Sequence, residues 1–167
     1  MALDEILAAP TPAEPLFDPP NGMYPARVDD KGRLKLPVGF QKFFDSIPEK
    51  RLFVTSLDRR IGQIYLNSIW RKNQKFFNEN RGLAAESKNI AFNAQDLGAD
   101  SEMDAQGRIL LPPEMRRELG IENQSVRLFA YKGHIQILSE AVYTERKRMA
   151  TAKAEADLET LDSAGLL

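Results

Sequence analysis

The stretch that most constrains this chain is Asp29 to Pro37, DDKGRLKLP, because it returns as Asp104 to Pro112, DAQGRILLP, at a constant offset of 75 residues. Asp29 falls on Asp104, Gly32 on Gly107, Arg33 on Arg108, Leu34 on Ile109, Leu36 on Leu111 and Pro37 on Pro112. Val28 meets Met103 and Phe40 meets Met115, so the apolar register outruns the shared letters on both sides. A unit encoded twice is expected to fold twice, and the chain is therefore read as two copies of one small motif.

Each copy has a local mechanical reading. Two short segments with apolar inward positions flank a turn at Lys31-Gly32 or Gln106-Gly107, where glycine accepts the positive φ of a tight hairpin. Leu34 and Leu36, or Ile109 and Leu111, take alternate positions of the returning strand, so Arg33 and Arg108 point away from the buried side. Proline follows, pre-shaped for the first position of a helix, and the helices read PVGFQKFF and PPEMRREL with apolar residues every three or four positions. Such units have too little apolar surface to stand alone and are best stabilised against one another, as one pseudo-twofold body that folds without dimerisation.

The remaining segments follow from composition. Residues 1–22 are acidic and proline-rich and are expected to form a mobile extension, with a short docking turn at Leu3, Ile6 and Leu7. Lacking Lys and Arg, they do not resemble a secretory signal, and an alternative is that translation starts at Met23; an intact mass that includes residues 1–22 would refute that start. Residues 23–79 form the first repeat unit, with strands at Arg51 to Leu57 and Gly62 to Leu66 and a helix capped by Asn67 or Ser68. That helix carries an apolar stripe of Ile69, Trp70, Phe76 and Phe77, read as core or subunit contact. Asp58-Arg59-Arg60 is read as a polar turn whose arginines solubilise it. Residues 80–99 are a connection with a helical piece at Ile90 to Gln95. Residues 100–143 form the second unit, its helix closed by Gly120 and its last strands at Ser125 to Tyr131 and His134 to Leu138. The tail, 144–167, favours helix and is expected to fray beyond Met149, where its apolar positions are mostly alanine.

The paired Asp-x-x-x-Arg motifs, each followed by Leu-Pro and a short helix, with Trp70 after the first and QGRILLPPEMRREL in the second, resemble the MraZ family of bacterial transcriptional regulators. The resemblance covers roughly residues 23–143. It implies a mixed α+β, β-rich fold, with two SpoVT/AbrB-like swapped-hairpin repeats forming an intramolecular pseudo-dimer with flanking helices. It further implies a cytoplasmic, nucleoid-associated protein that binds double-stranded DNA and assembles into homo-oligomeric rings. Its sites would be short repeats upstream of a division and cell-wall gene cluster.

Charge is consistent with that reading without carrying it. The net charge is −1, yet residues 24–75 hold a net +7 while 76–143 hold −3. Arg33 and Arg108 are the first candidates for DNA contact, since a guanidinium grips a phosphate or reads guanine in bidentate fashion. Arg27, Lys31 and Lys35 surround Arg33 as phosphate contacts that position rather than specify. Asp29 and Asp104 either hold these arginines or accept N–H groups of the turn closed by Gly32 and Gly107; a purely structural clasp remains open for both pairs. In the second copy the counterparts of Lys31, Lys35 and Arg27 are Gln106, Leu110 and Glu102. That copy is therefore expected to give Arg108 to DNA and otherwise to lean toward subunit contact.

Several classes have no support. There is no cysteine, and the single histidine, His134, has no second ligand type beside it, so neither a metal nor a cofactor is expected. No phosphate-binding glycine signature or nucleophile elbow occurs, so neither an enzyme nor a small-molecule substrate is expected. No apolar run is long enough to span a membrane. The rival reading is an oligomeric scaffold or an antitoxin-like protein that binds an acidic partner.

Overall fold

The computed structural model describes residues 18–167. The extension, its docking turn and the alternative start at Met23 concern residues 1–22, of which 1–17 lie outside the described residues. In the described part, Pro20 packs on Gly39, where an added Cβ would come within 3.1 Å of the proline ring.

The fold is mixed α+β, with eight strands in one nearly closed antiparallel sheet. The first half contributes β1 (Tyr24–Val28), β2 (Arg33–Lys35), α1 (Val38–Ser46), β3 (Leu52–Thr55), β4 (Gly62–Leu66) and α2 (Asn67–Glu79). A single 3-10 turn, Arg81–Leu83, leads into α3 (Ala84–Leu97). The second half repeats the order as β5 (Ala99–Ser101), β6 (Arg108–Leu110), α4 (Pro113–Leu119), β7 (Ser125–Tyr131) and β8 (His134–Ser139), and α5 (Glu140–Ala164) ends the chain.

The strands run β5-β3-β4-β8-β7-β1-β2-β6 across the sheet. If the two ends are joined, this order is unchanged when the halves are exchanged. The exchange is reciprocal: β1 of the first half pairs with β7 of the second, and β5 of the second pairs with β3 of the first. Two ladders cross the pseudo-twofold axis, and each is centred on a residue facing its own counterpart. Leu34 faces Ile109 between β2 and β6, and Gln63 faces Gln136 between β4 and β8. No ladder joins β5 to β6, although the Ser101 hydroxyl donates to the Leu110 carbonyl at 3.3 Å.

The inward alternation follows the expected pattern. Leu34, Ile109 and Leu111 are wholly buried, and Leu36 nearly so, in one core with Phe40, Met115, Val28 and Ile137. Truncating one of these to alanine typically costs about 2–5 kcal/mol. Because each half lends strands to the other, that core belongs to both.

Several local expectations need correction. Pro37 and Pro112 sit one residue before their helices rather than at the first helical position, because their ψ angles of 151° and 138° are extended; Pro113 takes the first position in α4. Neither Asn67 nor Ser68 is the N-cap of α2, which is Leu66. Instead the Glu49 carboxylate accepts the Ser68 N–H at 3.3 Å, and the Arg51 carbonyl accepts that of Asn67. In its stripe Trp70 is buried and stacks on Phe53 at 4.6 Å, but Phe76 is half-exposed. The connection is far more ordered than expected, as α3 spans fourteen residues rather than the Ile90 to Gln95 piece. Arg59 does more than solubilise its turn. Held at φ +63°, it reaches Asn93 at 2.8 Å and Asp96 at 2.7 Å on α3, and Glu118 at 3.5 Å on α4.

The tail is helical beyond Met149. α5 continues to Ala164, opened by the Ser139 hydroxyl, which accepts the Val142 N–H, and closed by Gly165 in the left-handed region. No residue of α5 is buried, and its base is held by Arg127 to Glu140 at 3.1 Å and Arg60 to Glu145 at 2.6 Å. Among the described residues no helix is long and apolar enough to cross a membrane.

Candidate nucleic-acid interface

The two repeated hairpin turns are built alike, atom for atom. In each, the aspartate N–H donates to the arginine carbonyl and the glycine N–H returns to the aspartate carbonyl. Gly32 and Gly107 close the turns at φ +80° and +75°, which favours glycine at both. Asp29 Oδ1 accepts the N–H groups of Lys31 at 3.0 Å and Arg33 at 2.8 Å, and its Oδ2 accepts Arg33 Nε at 2.8 Å. Asp104 repeats the set with Gln106, Arg108 and Arg108 Nε, each at 2.9 Å.

One carboxylate thus fixes both the turn and the guanidinium that leaves it. The arginine's backbone N–H is the largest cause, followed by its guanidinium and the second turn N–H, in holding each carboxyl below its usual range. Both roles open to the aspartates at the sequence level are filled together. Each arginine binds its aspartate through Nε, and the side chains remain 31% and 27% exposed.

The β2–β6 ladder then brings the two clasps to one surface. Arg33 faces Leu110 and Lys35 faces Arg108 across it, and Arg27 on β1 faces Lys35 on the other side. One row across three strands therefore reads Arg27, Lys35, Arg108. Like charges directly opposite one another in a sheet are destabilising, and along this row Asp104 offsets the charge at Arg108. A polyanion lying along it would relieve the remaining repulsion.

The candidates differ in how free they are. Lys31 is exposed at the first turn. Lys35 donates to the Gln106 carbonyl of the opposite turn. Arg27 is exposed, but its guanidinium donates to the Asn123 carbonyl at 2.9 Å and to Asn123 Oδ1 at 3.1 Å, so it would meet a phosphate only beside or after that contact. His134 lies 4.8 Å from Tyr65 as a packed ring, and burial pushes its pKa down.

Two supporting residues escaped sequence reasoning. Arg116 on α4 is wedged under the first turn: a Cβ at Gly32 would overlap its guanidinium, and its Nη1 donates to the Lys31 carbonyl at 3.3 Å. Its Nε is buried without a hydrogen-bond partner, 3.9 Å from Glu122. Gln41 on α1 occupies the same place under Gly107 and donates to the Leu36 carbonyl at 2.7 Å. Gln41 and Arg116 are also 75 residues apart, but as different side chains they do not stand out in the repeat. Each helix seats the turn of the other half.

No protein-family model matches the chain. Three relatives named transcriptional regulator MraZ are similar to it over most of their length. That of Acidobacterium capsulatum is 30% identical over 145 residues, covering 87% of this chain and 98% of the relative. That of Koribacter versatilis is 28% identical over 118 residues, 70% of this chain and 78% of the relative. That of Solidesulfovibrio magneticus is 28% identical over 141 residues, 83% and 91% respectively.

Proposed function

The chain belongs to the MraZ family of transcriptional regulators, and from that premise we propose that it binds double-stranded DNA sequence-specifically through the outward face of β2 and β6. The observation that carries the proposal is the convergence of Arg33 and Arg108 beside Lys35 on one surface. Both arginines are pre-oriented by an aspartate, so little side-chain freedom is lost when they meet a phosphate or a guanine edge. Lys31, Lys35 and Arg27 supply phosphate contacts at the margin.

In this reading the two halves are AbrB-like repeats, and copies of the chain assemble into a homo-oligomeric ring in the cytoplasm, associated with the nucleoid. Its sites are short repeats upstream of a division and cell-wall gene cluster. One face contributes few base contacts, and linked copies raise the effective concentration at neighbouring repeats. Copies related by a ring match direct repeats, whereas a plain dimer would call for a palindrome.

A gel shift against the DNA upstream of the chain's own gene tests this reading. Retardation that weakens steeply as salt rises is expected, because phosphate neutralisation releases counterions. A large species in size exclusion with no retardation at moderate salt would favour the rival, an oligomeric scaffold or antitoxin-like partner binder.

A further inference from the structure

Resting on the DNA-binding reading above, we infer that Leu110 reads a thymine methyl group and thereby makes the recognised site asymmetric about the pseudo-twofold axis. Leu110 is the counterpart of Lys35, and its side chain is 57% exposed. At the sequence level an outward leucine pointed to subunit contact. Its surroundings in the structure argue otherwise: Arg33 faces it across the ladder, Arg108 precedes it by two residues on the same side of β6, and Lys35 lies diagonally opposite.

A protein partner covering Leu110 would have to desolvate Arg33, Arg108 and Lys35 with it, and lysine is depleted at such interfaces, whereas a polyanion neutralises all three. A DNA major groove wants the same set. The cations meet phosphates and guanine edges, and thymine presents its C5 methyl group as the one apolar feature of a base edge there. Because the other half carries Lys35 at the matching position, the apolar contact occurs on one side of the axis only. Arg33 and Arg108 would read the two sides alike, and Leu110 would set the direction.

The test selects a binding duplex from a random-sequence library with the full chain, then replaces each thymine in turn by deoxyuridine, which lacks only the methyl group. Anisotropy should show about a fourfold loss at one thymine, or two adjacent ones, in one half of the site, the scale of one methyl group withdrawn from apolar contact. The Leu110→Ala protein should bind the parent duplex about as weakly as wild type binds the deoxyuridine duplex, and it should no longer distinguish the two. Its retained sensitivity to Arg33→Ala would establish that the face is otherwise intact. If a duplex is selected and depends on Arg33, but no thymine is sensitive or Leu110→Ala keeps the sensitivity, this inference fails and DNA binding stands. If no duplex is selected, both fail.

Discussion

Arg33 and Asp29 are bound to each other before any ligand arrives, and the sign of one substitution tells whether that matters. Asp29→Ala removes a negative charge from the proposed DNA-binding surface, which by charge alone would strengthen binding. The clasp argues the opposite, because freeing a rotamer-rich arginine adds about 0.5–1.5 kcal/mol of ordering cost to binding. Weaker binding by a folded Asp29→Ala protein is therefore expected; tighter binding would reduce the aspartate to a bystander. The clasp also has a pH signature. A carboxyl whose folded pKa is depressed contributes stability that is full above its ordinary pKa and lost as pH falls through the folded value. Hydrogen exchange at the Arg33 amide should stay protected down to pH below the usual carboxylate range. This much was legible in the sequence, since the contact joins residues four apart within one hairpin. Arg116 and Gln41 were not, because they touch turns in the other half and only the strand exchange brings them there.

In the proposed reading, the β2–β6 ladder is the element that separates the two halves in function. Lys35 stands in its charged row, whereas Glu102 precedes the second turn, outside both strands. Lys35→Ala should weaken DNA binding measurably and lower the salt slope by about 1, the expectation for one lost phosphate contact. Glu102→Lys should change binding far less, and comparable effects in an anisotropy titration would count against this division of labour. Every residue of α5 beyond Met149 is exposed. Removing residues 150–167 should leave the thermal midpoint of the remaining chain nearly unchanged. A marked fall would mean that the helix is covered by something, most simply another copy. Sequence reasoning expected α5 to fray because it looked for apolar anchors; alanine, glutamate and lysine sustain the helix, and Ser139 and Gly165 close its ends. It undersized α3 for a related reason, as the buried positions Ser87 and Ala94 are small and signal burial weakly.

For the whole molecule, the repeat determined more than either half could alone. Two self-facing ladders, Leu34 with Ile109 and Gln63 with Gln136, are what a dimer of identical hairpin units would have, joined here within one chain. The general pairing of the halves was legible from the recurrence of Asp-x-x-x-Arg and Leu-Pro. The closure of the sheet was not, since it depends on β1 and β5 crossing to the opposite half, and no local pattern encodes a partner so distant in sequence. The β2–β6 ladder brings both arginines to one side, and the central claim is that they grip one duplex together. Its most direct test is an anisotropy titration of one selected duplex with wild type, Arg33→Ala and Arg108→Ala at several salt concentrations, with folding checked by circular dichroism. Both folded variants should lose about 1–3 kcal/mol of binding if each arginine reads a base. Wild-type affinity in either one, on a duplex that the other no longer holds, would contradict a shared grip.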